Sequence, residues 1–322
     1  MVLTPIRALI DQDLASTDQC IVSRLESDIP LIKEVIEYVL TCGGKRIRPL
    51  ILLLSAKALA YLGKQHIELA AVIELVHTAT LLHDDVVDHS TLRRGHKTAH
   101  TIWGNNVSVL IGDFLYSRAF QIVVDFKHQT ILDIFAHATH YIAEGELMQL
   151  VNCNNPNTTE NHYFEIIQRK TAKLFEIATH LAAIIAHSSD HEVIAMSNYG
   201  LHLGLAYQLI DDALDYNRSS EQTGKNIGQD IAEGKVTLPL IYAMSQCKGE
   251  KLTLLQHSIQ STSNRDFTAV IEVIESTGAI QYTANAAKRH AQQAKAALSQ
   301  IASSPYKKAL EELCDFVVER TY

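Results

Sequence analysis

Proline and glycine are scarce, six and fourteen in 322 residues, so little interrupts the chain and its elements should be long. The five cysteines, Cys20, Cys42, Cys153, Cys247 and Cys314, are scattered singly and include no CxxC pair. An odd, unpatterned set excludes a disulfide framework and a zinc site and suits reduced thiols in the cytoplasm. A basic excess is missing as well: 28 Lys and Arg face 36 Asp and Glu, for a net charge of −8. That argues against nucleic acid as a partner, so any binding of polyanions must be local. The N-terminal stretch "MVLTPIRALIDQDLAS" has early acids and no apolar core, so no signal peptide is expected. The longest uncharged run, 193–210, contains Ser197, Asn198, His202 and Gln208, so no transmembrane segment is expected.

What is present is helical. The stretch 67–88, "IELAAVIELVHTATLLHDDVVD", is apolar on most faces, the habit of a helix enclosed in a bundle. Residues 164–189, 193–216 and 283–302 carry the same periodicity, and no convincing run of alternating β-branched residues appears. Loops are marked at 41–49, 152–160, 217–230 and 303–305, none with the composition of an interdomain linker. The expectation is an all-α fold: one large helical bundle over residues 1–322, with the amphipathic last third packed outside.

One motif occurs twice. "HDDVVD" at 83–88 and "IDDALD" at 210–215 are both D-x-x-D clusters with a second aspartate, each ending an apolar helical run. At about 100° per residue, Asp84 and Asp88 share a helix face with Asp85 beside them, and Asp211, Asp215 and Asp212 repeat the arrangement. A single copy reads most simply as a solvated helix end. Two copies behind buried runs point to a hard divalent cation, because Mg²⁺ takes one or two carboxylates together with substrate phosphates and water. Facing helices of a bundle are a recurrent place for such sites.

Cations gather near these acids. "GGKRIRP" sets Lys45, Arg46 and Arg48 at a helix start, an anion-binding arrangement. Arg93 and Arg94 follow the first motif, Lys170 and Thr171 lie mid-helix, and Lys225 and Lys235 follow the second motif. Loop cations are usually just solvated, a fair description of Lys225 alone but a poor one for Arg93, Arg94 and Lys170. His77 lies seven residues before Asp84 and Gln208 four before Asp212, so both share faces with the acids; either is equally a satisfied core residue. The pattern suggests two anionic groups, one held through metal and one by cations directly.

These segments together resemble the trans-isoprenyl diphosphate synthase family. The matches are "GGKRIRP" (43–49), "HDDVVDHSTLRRG" (83–95), "GDFLYSRAF" (112–120), "EGELMQL" (144–150), "KTAKLF" (170–175), "YQLIDDALD" (207–215) and "GKNIGQDIAEGKVTLPLIYA" (224–243). Within the family they are most similar to long-chain bacterial synthases of the octaprenyl type. The resemblance implies an isoprenoid-synthase bundle around a deep central cavity, usually a homodimer, elongating an allylic diphosphate with isopentenyl diphosphate. It implies that Asp84, Asp85, Asp88, Asp211 and Asp212 bind Mg²⁺, three ions per site, with Asp215 acting through water. Arg93, Lys170, Thr171, Gln208, Lys225 and Lys235 would contact the allylic diphosphate, and Lys45, Arg48, His77 and Arg94 isopentenyl diphosphate. Tyr207 stands where Phe is usual and Asn226 where Pro is common; neither is a proposed ligand.

One turn before the first acids lie Ala79 and Thr80, with Val76 and Val72 deeper. A large aromatic there would floor the cavity, so their modest size suggests an open path; the resemblance implies a long product, beyond C20 and near about C40, of the kind used for quinone side chains. Tight helix packing would select the same small residues. A shorter-chain geranylgeranyl or farnesyl synthase is the alternative. A terpene cyclase should lack the second D-D-x-x-D, a silent subunit of a heteromeric synthase should have lost aspartates or cations, and a generic metal-binding bundle leaves the ordered cations unexplained. The expected localisation is cytoplasmic, with peripheral membrane contact for product release.

Overall fold

The computed structural model describes residues 3–216, 228–260 and 267–320. Two leading helices, α1 (Thr4–Ala8) and α2 (Asp11–Arg24), precede α3 (Pro30–Thr41), α4 (Ile47–Ala58) and α5 (Gln65–Val87). A small hairpin, β1 (Leu92–Arg93) and β2 (His96–Lys97), leads to α6 (Ala99–Trp103), α7 (Asn105–Asp125) and α8 (Gln129–Asn152). Helices α9 (Glu160–Ile167) and α10 (Lys173–Ile185) are joined by a π turn over Gln168–Ala172, and α11 spans Asp190–Asp215. The described chain ends with α12 (Gln229–Ala232), α13 (Leu238–Gln246), α14 (Glu250–Gln260), α15 (Phe267–Ser276), α16 (Ala279–Ala297) and α17 (Pro305–Glu319).

Helix α5 is enclosed, as its all-round apolar sequence requires: every residue from Leu69 to Val76 is buried. It packs chiefly on α7, α4 and α2. Ser108 Oγ of α7 donates to the Leu82 carbonyl at 3.1 Å, which fixes the register of the pair. Helix α11 starts on a capping box: Ser189 Oγ accepts from the Glu192 amide, and the Glu192 carboxylate accepts from the Ser189 amide at 2.9 Å. It lies between α10 and α16. The two acid-bearing helices therefore belong to one packed core, and a second, smaller core gathers Tyr216, Ile231, Leu240, Leu255 and Ile274. The alanine-rich last third is less peripheral than its composition suggests, because Ala284, Ala287, Ala291 and Ala294 of α16 are buried.

The hairpin was not expected. Arg94 (φ 53°) and Gly95 (φ 80°) form its two-residue turn, the doubly left-handed geometry that matches the twist of paired strands. Such a turn gives no run of alternating residues, which is why periodicity missed it.

Two pockets flank α5 and share Glu74, Thr78 and Leu82 on their walls. Val72, Val76 and Ala79 lie on another side of α5 and are 0% exposed. Thr80 is half-buried, its hydroxyl donating to the His77 carbonyl at 2.8 Å. Val72, Val76 and Ala79 are thus packed by neighbouring side chains. Among the described residues α7 is the single helix long and apolar enough to cross a membrane by length and composition, and 39% of its apolar window is buried.

Candidate active site

Helix α5 delivers its three aspartates at its C-terminal turn, and each meets a cation from a different element. Arg93, folded back by the hairpin, donates Nε to Asp85 Oδ1 at 2.7 Å. Lys170 Nζ lies 3.4 Å from Asp84 Oδ1 and in close contact with Glu146 of α8. Lys235 Nζ donates to Asp88 Oδ2 and Glu233 Oε2, both at 2.6 Å.

Lys170 and Thr171 do not sit in a regular helix. They lie in the π turn, whose extra residue turns both side chains toward the acids. That turn is pressed against its neighbours: a Cβ on Gly145 would come within 2.6 Å of Lys170 N and Arg169 Cβ, and one on Gly204 within 2.6 Å of Ala172 Cα. Glycine is demanded at both positions by backbone approach.

The second motif is arranged differently from the first. Asp212 points inward, 3% exposed, with Oδ2 accepting from Tyr163 at 2.5 Å and Oδ1 from Gln208 Nε2 at 2.7 Å. Gln208 in turn accepts from Thr171 Oγ1 at 2.8 Å. Asp215 accepts from the amides of Gln229 and Asp230 at 3.2 and 3.0 Å and so anchors the chain returning at α12. Asp211 is the more open member and faces Arg320 at 3.3 Å. Asp212 and Asp215 accept hydrogen bonds from neutral protein donors, whereas Asp84, Asp85, Asp88 and Asp211 face the cations Lys170, Arg93, Lys235 and Arg320.

Burial pushes the Asp212 carboxyl up to about 7, against the pull of the Tyr163 and Gln208 hydrogen bonds. Burial likewise raises Glu146 to about 7, opposed by Lys170 and reinforced by Asp84. Asp85 is raised by burial and lowered by Arg93, the first effect winning. For Lys235, burial disfavours the charge, but Asp88, Glu233 and Asp230 outweigh it and raise its pKa. The site therefore holds more buried negative charge than its own cations fully compensate. That suits a hard divalent cation. Among the described residues no three His, Cys, Asp or Glu side chains close on one ion position, so an ion here would complete its shell with phosphate oxygens and water.

The other cations form a wall beside α4. Arg48 Nη1 donates to His77 Nε2 at 3.0 Å and its guanidinium stacks on Phe175 at 4.7 Å. Burial and then the charges of Arg48, Arg94, Arg93 and Arg46 push His77 well below its usual range, so the imidazole is neutral and accepts. Lys45 lies 5.9 Å above the Phe316 ring, and Arg94 donates to the Gly43 carbonyl. Arg46 is instead turned to Glu74 at 2.7 Å, taking a left-handed backbone (φ 48°) as the N-cap of α4. Lys225 lies outside the described residues. The sequence did not single out Glu146, Glu233, Tyr163 or Arg320. The first two sit in or beside quoted motifs, while the last two carry no local signal.

The polyprenyl synthetase family model matches residues 29–276. The chain belongs to that family. It is 43% identical over 321 residues to an octaprenyl diphosphate synthase of Escherichia coli K12, covering 99% of both chains. It is 42% identical over 316 residues to an all-trans-nonaprenyl-diphosphate synthase of Rhodobacter capsulatus, covering 98% of this chain and 97% of the other. A polyprenyl synthase from Caulobacter crescentus CB15, crystallised with calcium and isoprenyl diphosphate, superposes with a TM-score of 0.95 at 41% identity, covering 100% of this chain and 98% of that one. This member of the polyprenyl synthetase family is a prenyltransferase with the all-helical fold of its relatives.

Proposed function

We propose that the enzyme elongates an allylic diphosphate such as farnesyl diphosphate by successive condensation with isopentenyl diphosphate, giving an all-trans polyprenyl diphosphate of about C40 that serves as a quinone side-chain precursor. The observation that carries this reading is the bridging of acid and cation. Lys170 and Lys235 each span an aspartate of the first motif and a second, half-buried carboxylate, an arrangement a diphosphate with its metal would enter.

Asp84, Asp88 and Asp211 would hold Mg²⁺, with Asp85, Asp212 and Asp215 positioning the chain around them. The two motifs together would hold three such ions with the diphosphate. Bound there, Mg²⁺ would neutralise charge on the phosphate oxygens. Arg93, Lys170, Thr171, Gln208 and Lys235 orient the allylic diphosphate and stabilise negative charge as its C–O bond breaks; Lys225 belongs to the same set by its place in the motif. Lys45, Arg48, His77 and Arg94 hold isopentenyl diphosphate so that its double bond faces the allylic cation. Attack forms the new C–C bond, and the departing diphosphate accepts the proton lost from the adduct. The apolar walls exclude water that would quench the cation.

The chain works as one domain over residues 1–322 and as a cytoplasmic homodimer. Val109, Leu110 and Val124 of α7 and Leu147, Leu150 and Val151 of α8 are exposed, an apolar surface that asks for a partner. The long product reaches a bilayer by peripheral contact. The test is incubation with Mg²⁺, farnesyl diphosphate and labelled isopentenyl diphosphate, with products separated by chain length. A ladder ending near about C40 supports the reading. A stop at about C15 or C20 keeps the chemistry but makes the packed residues beneath Ala79 a floor. No incorporation from any allylic primer rejects it and favours a silent subunit.

A further inference from the structure

Helix α3 ends at Thr41, and its last turn and the backbone beyond it reach the hairpin at two points. Tyr38, in that last turn, donates its hydroxyl to the Lys97 carbonyl at 2.7 Å. Gly43, just past the helix end, offers its carbonyl to Arg94. Lys97 pairs with Leu92 across the hairpin, so the Tyr38 bond grips the base of the two strands while Gly43 meets the tip. The Tyr38 ring is held in turn. Its centroid lies 5.2 Å from that of Trp103 in α6 at an interplanar angle of 75°, an edge-to-face pair.

The ties on the hairpin differ in what a substrate would do to them. Arg93 spends Nε on Asp85 at 2.7 Å, and Arg94 spends Nη1 on the Gly43 carbonyl. A guanidinium that turns its fork to phosphate must give up or share those contacts. The Tyr38 bond occupies no phosphate-binding group, so of these three ties it is the one that survives substrate binding. The hairpin needs it, because a pair of two-residue strands is too short to hold its own place.

We propose that Tyr38 is a positioning residue for substrate. By fixing the base of the hairpin to α3, it keeps Arg93 and Arg94 aimed at the two diphosphates once they leave their protein partners. The inference rests on the reading that Arg94 takes isopentenyl diphosphate and Arg93 the allylic diphosphate. Tyr38 acts on both substrates only through the hairpin.

The test is Tyr38→Phe, which deletes the hydroxyl and keeps the ring against Trp103. KM for isopentenyl diphosphate should rise about threefold to tenfold, the span that one lost hydrogen bond gives. KM for farnesyl diphosphate should move in the same direction, with kcat within about twofold of wild type. A double-mutant cycle with Arg94→Gln reads whether the effect passes through the hairpin. In the Arg94→Gln background, Tyr38→Phe should change the affinity for isopentenyl diphosphate, measured by titration calorimetry, by less than about twofold. Unchanged KM with only a lowered Tm would make Tyr38 a packing residue and overturn the proposal. So would effects of Tyr38→Phe and Arg94→Gln that simply multiply. Wild type that binds no isopentenyl diphosphate sinks the functional reading itself, whereas normal binding by wild type with unchanged affinity in Tyr38→Phe sinks this inference alone.

Discussion

Tyr163 donates its hydroxyl to Asp212 Oδ2 at 2.5 Å, tying α9 to the second acid motif within the protein interior. Removing the hydroxyl leaves a buried carboxylate oxygen without its partner, a loss of about 1–3 kcal/mol. Tyr163→Phe should therefore lower Tm by several degrees and reduce kcat, because Asp212 also orients Gln208 and through it Thr171. A variant with wild-type Tm and kcat would show that the bond is dispensable.

Lys235 holds two carboxylates apart. Lys235→Met leaves Asp88 and Glu233 facing each other with little solvent, and breaking such a buried set destabilises by roughly 3 kcal/mol. Activity should fall by about a hundredfold or more, a loss expected when an electrostatic stabiliser is removed. Kinetics and thermal melts on one preparation check both effects.

Gly145→Ala puts a methyl within 2.6 Å of the Lys170 amide nitrogen, a contact no rotamer relieves. The π turn must shift, so the loss should appear mainly in kcat with the helical circular-dichroism signal retained. Full activity in this variant would mean the turn tolerates displacement.

His202 Nδ1 and His290 Nδ1 lie 3.0 Å apart between α11 and α16. Burial, then the charges of His202 and Arg289, lower His290 to about 4, and burial lowers His202. A histidine unfolds to a pKa of about 6.5, so between about pH 6.5 and 4 the unfolded chain binds protons that the folded chain does not. Stability contributed by the neutral pair is present above pH 6.5 and lost as pH falls. After allowance for partial exposure the loss is about 1–2 kcal/mol. Denaturant unfolding at pH 7.5 and 5 should show it, and His290→Gln should flatten the difference.

Ala79 is fully buried beneath the first acids. Ala79→Phe adds volume where none is free and should shorten the product ladder while lowering Tm, since overpacking a core costs about 1–3 kcal/mol. An unchanged product length would place the growing tail elsewhere, along the voids on the Glu74, Thr78 and Leu82 side of α5.

Much of this enzyme is written in local pattern. The enclosed α5, the long α11 and the placement of Asp84 with Asp88 follow from helical periodicity, which is a property of neighbouring residues. The scarcity of proline and glycine and the repeated acid motif required no partner to be read. Other features depend on residues far apart in the chain. That Asp212 turns inward to Tyr163 while Asp211 meets Arg320 was decided by which helices pack on α11, although the two aspartates are adjacent. The π turn exists because Gly145 and Gly204 admit its backbone, and the packed core around Ala79 reflects the neighbours that fill it. Sequence by itself determined the elements and the chemistry they carry. Tertiary structure decided which of those groups meet, because long-range packing and burial set each side chain's partners and charge.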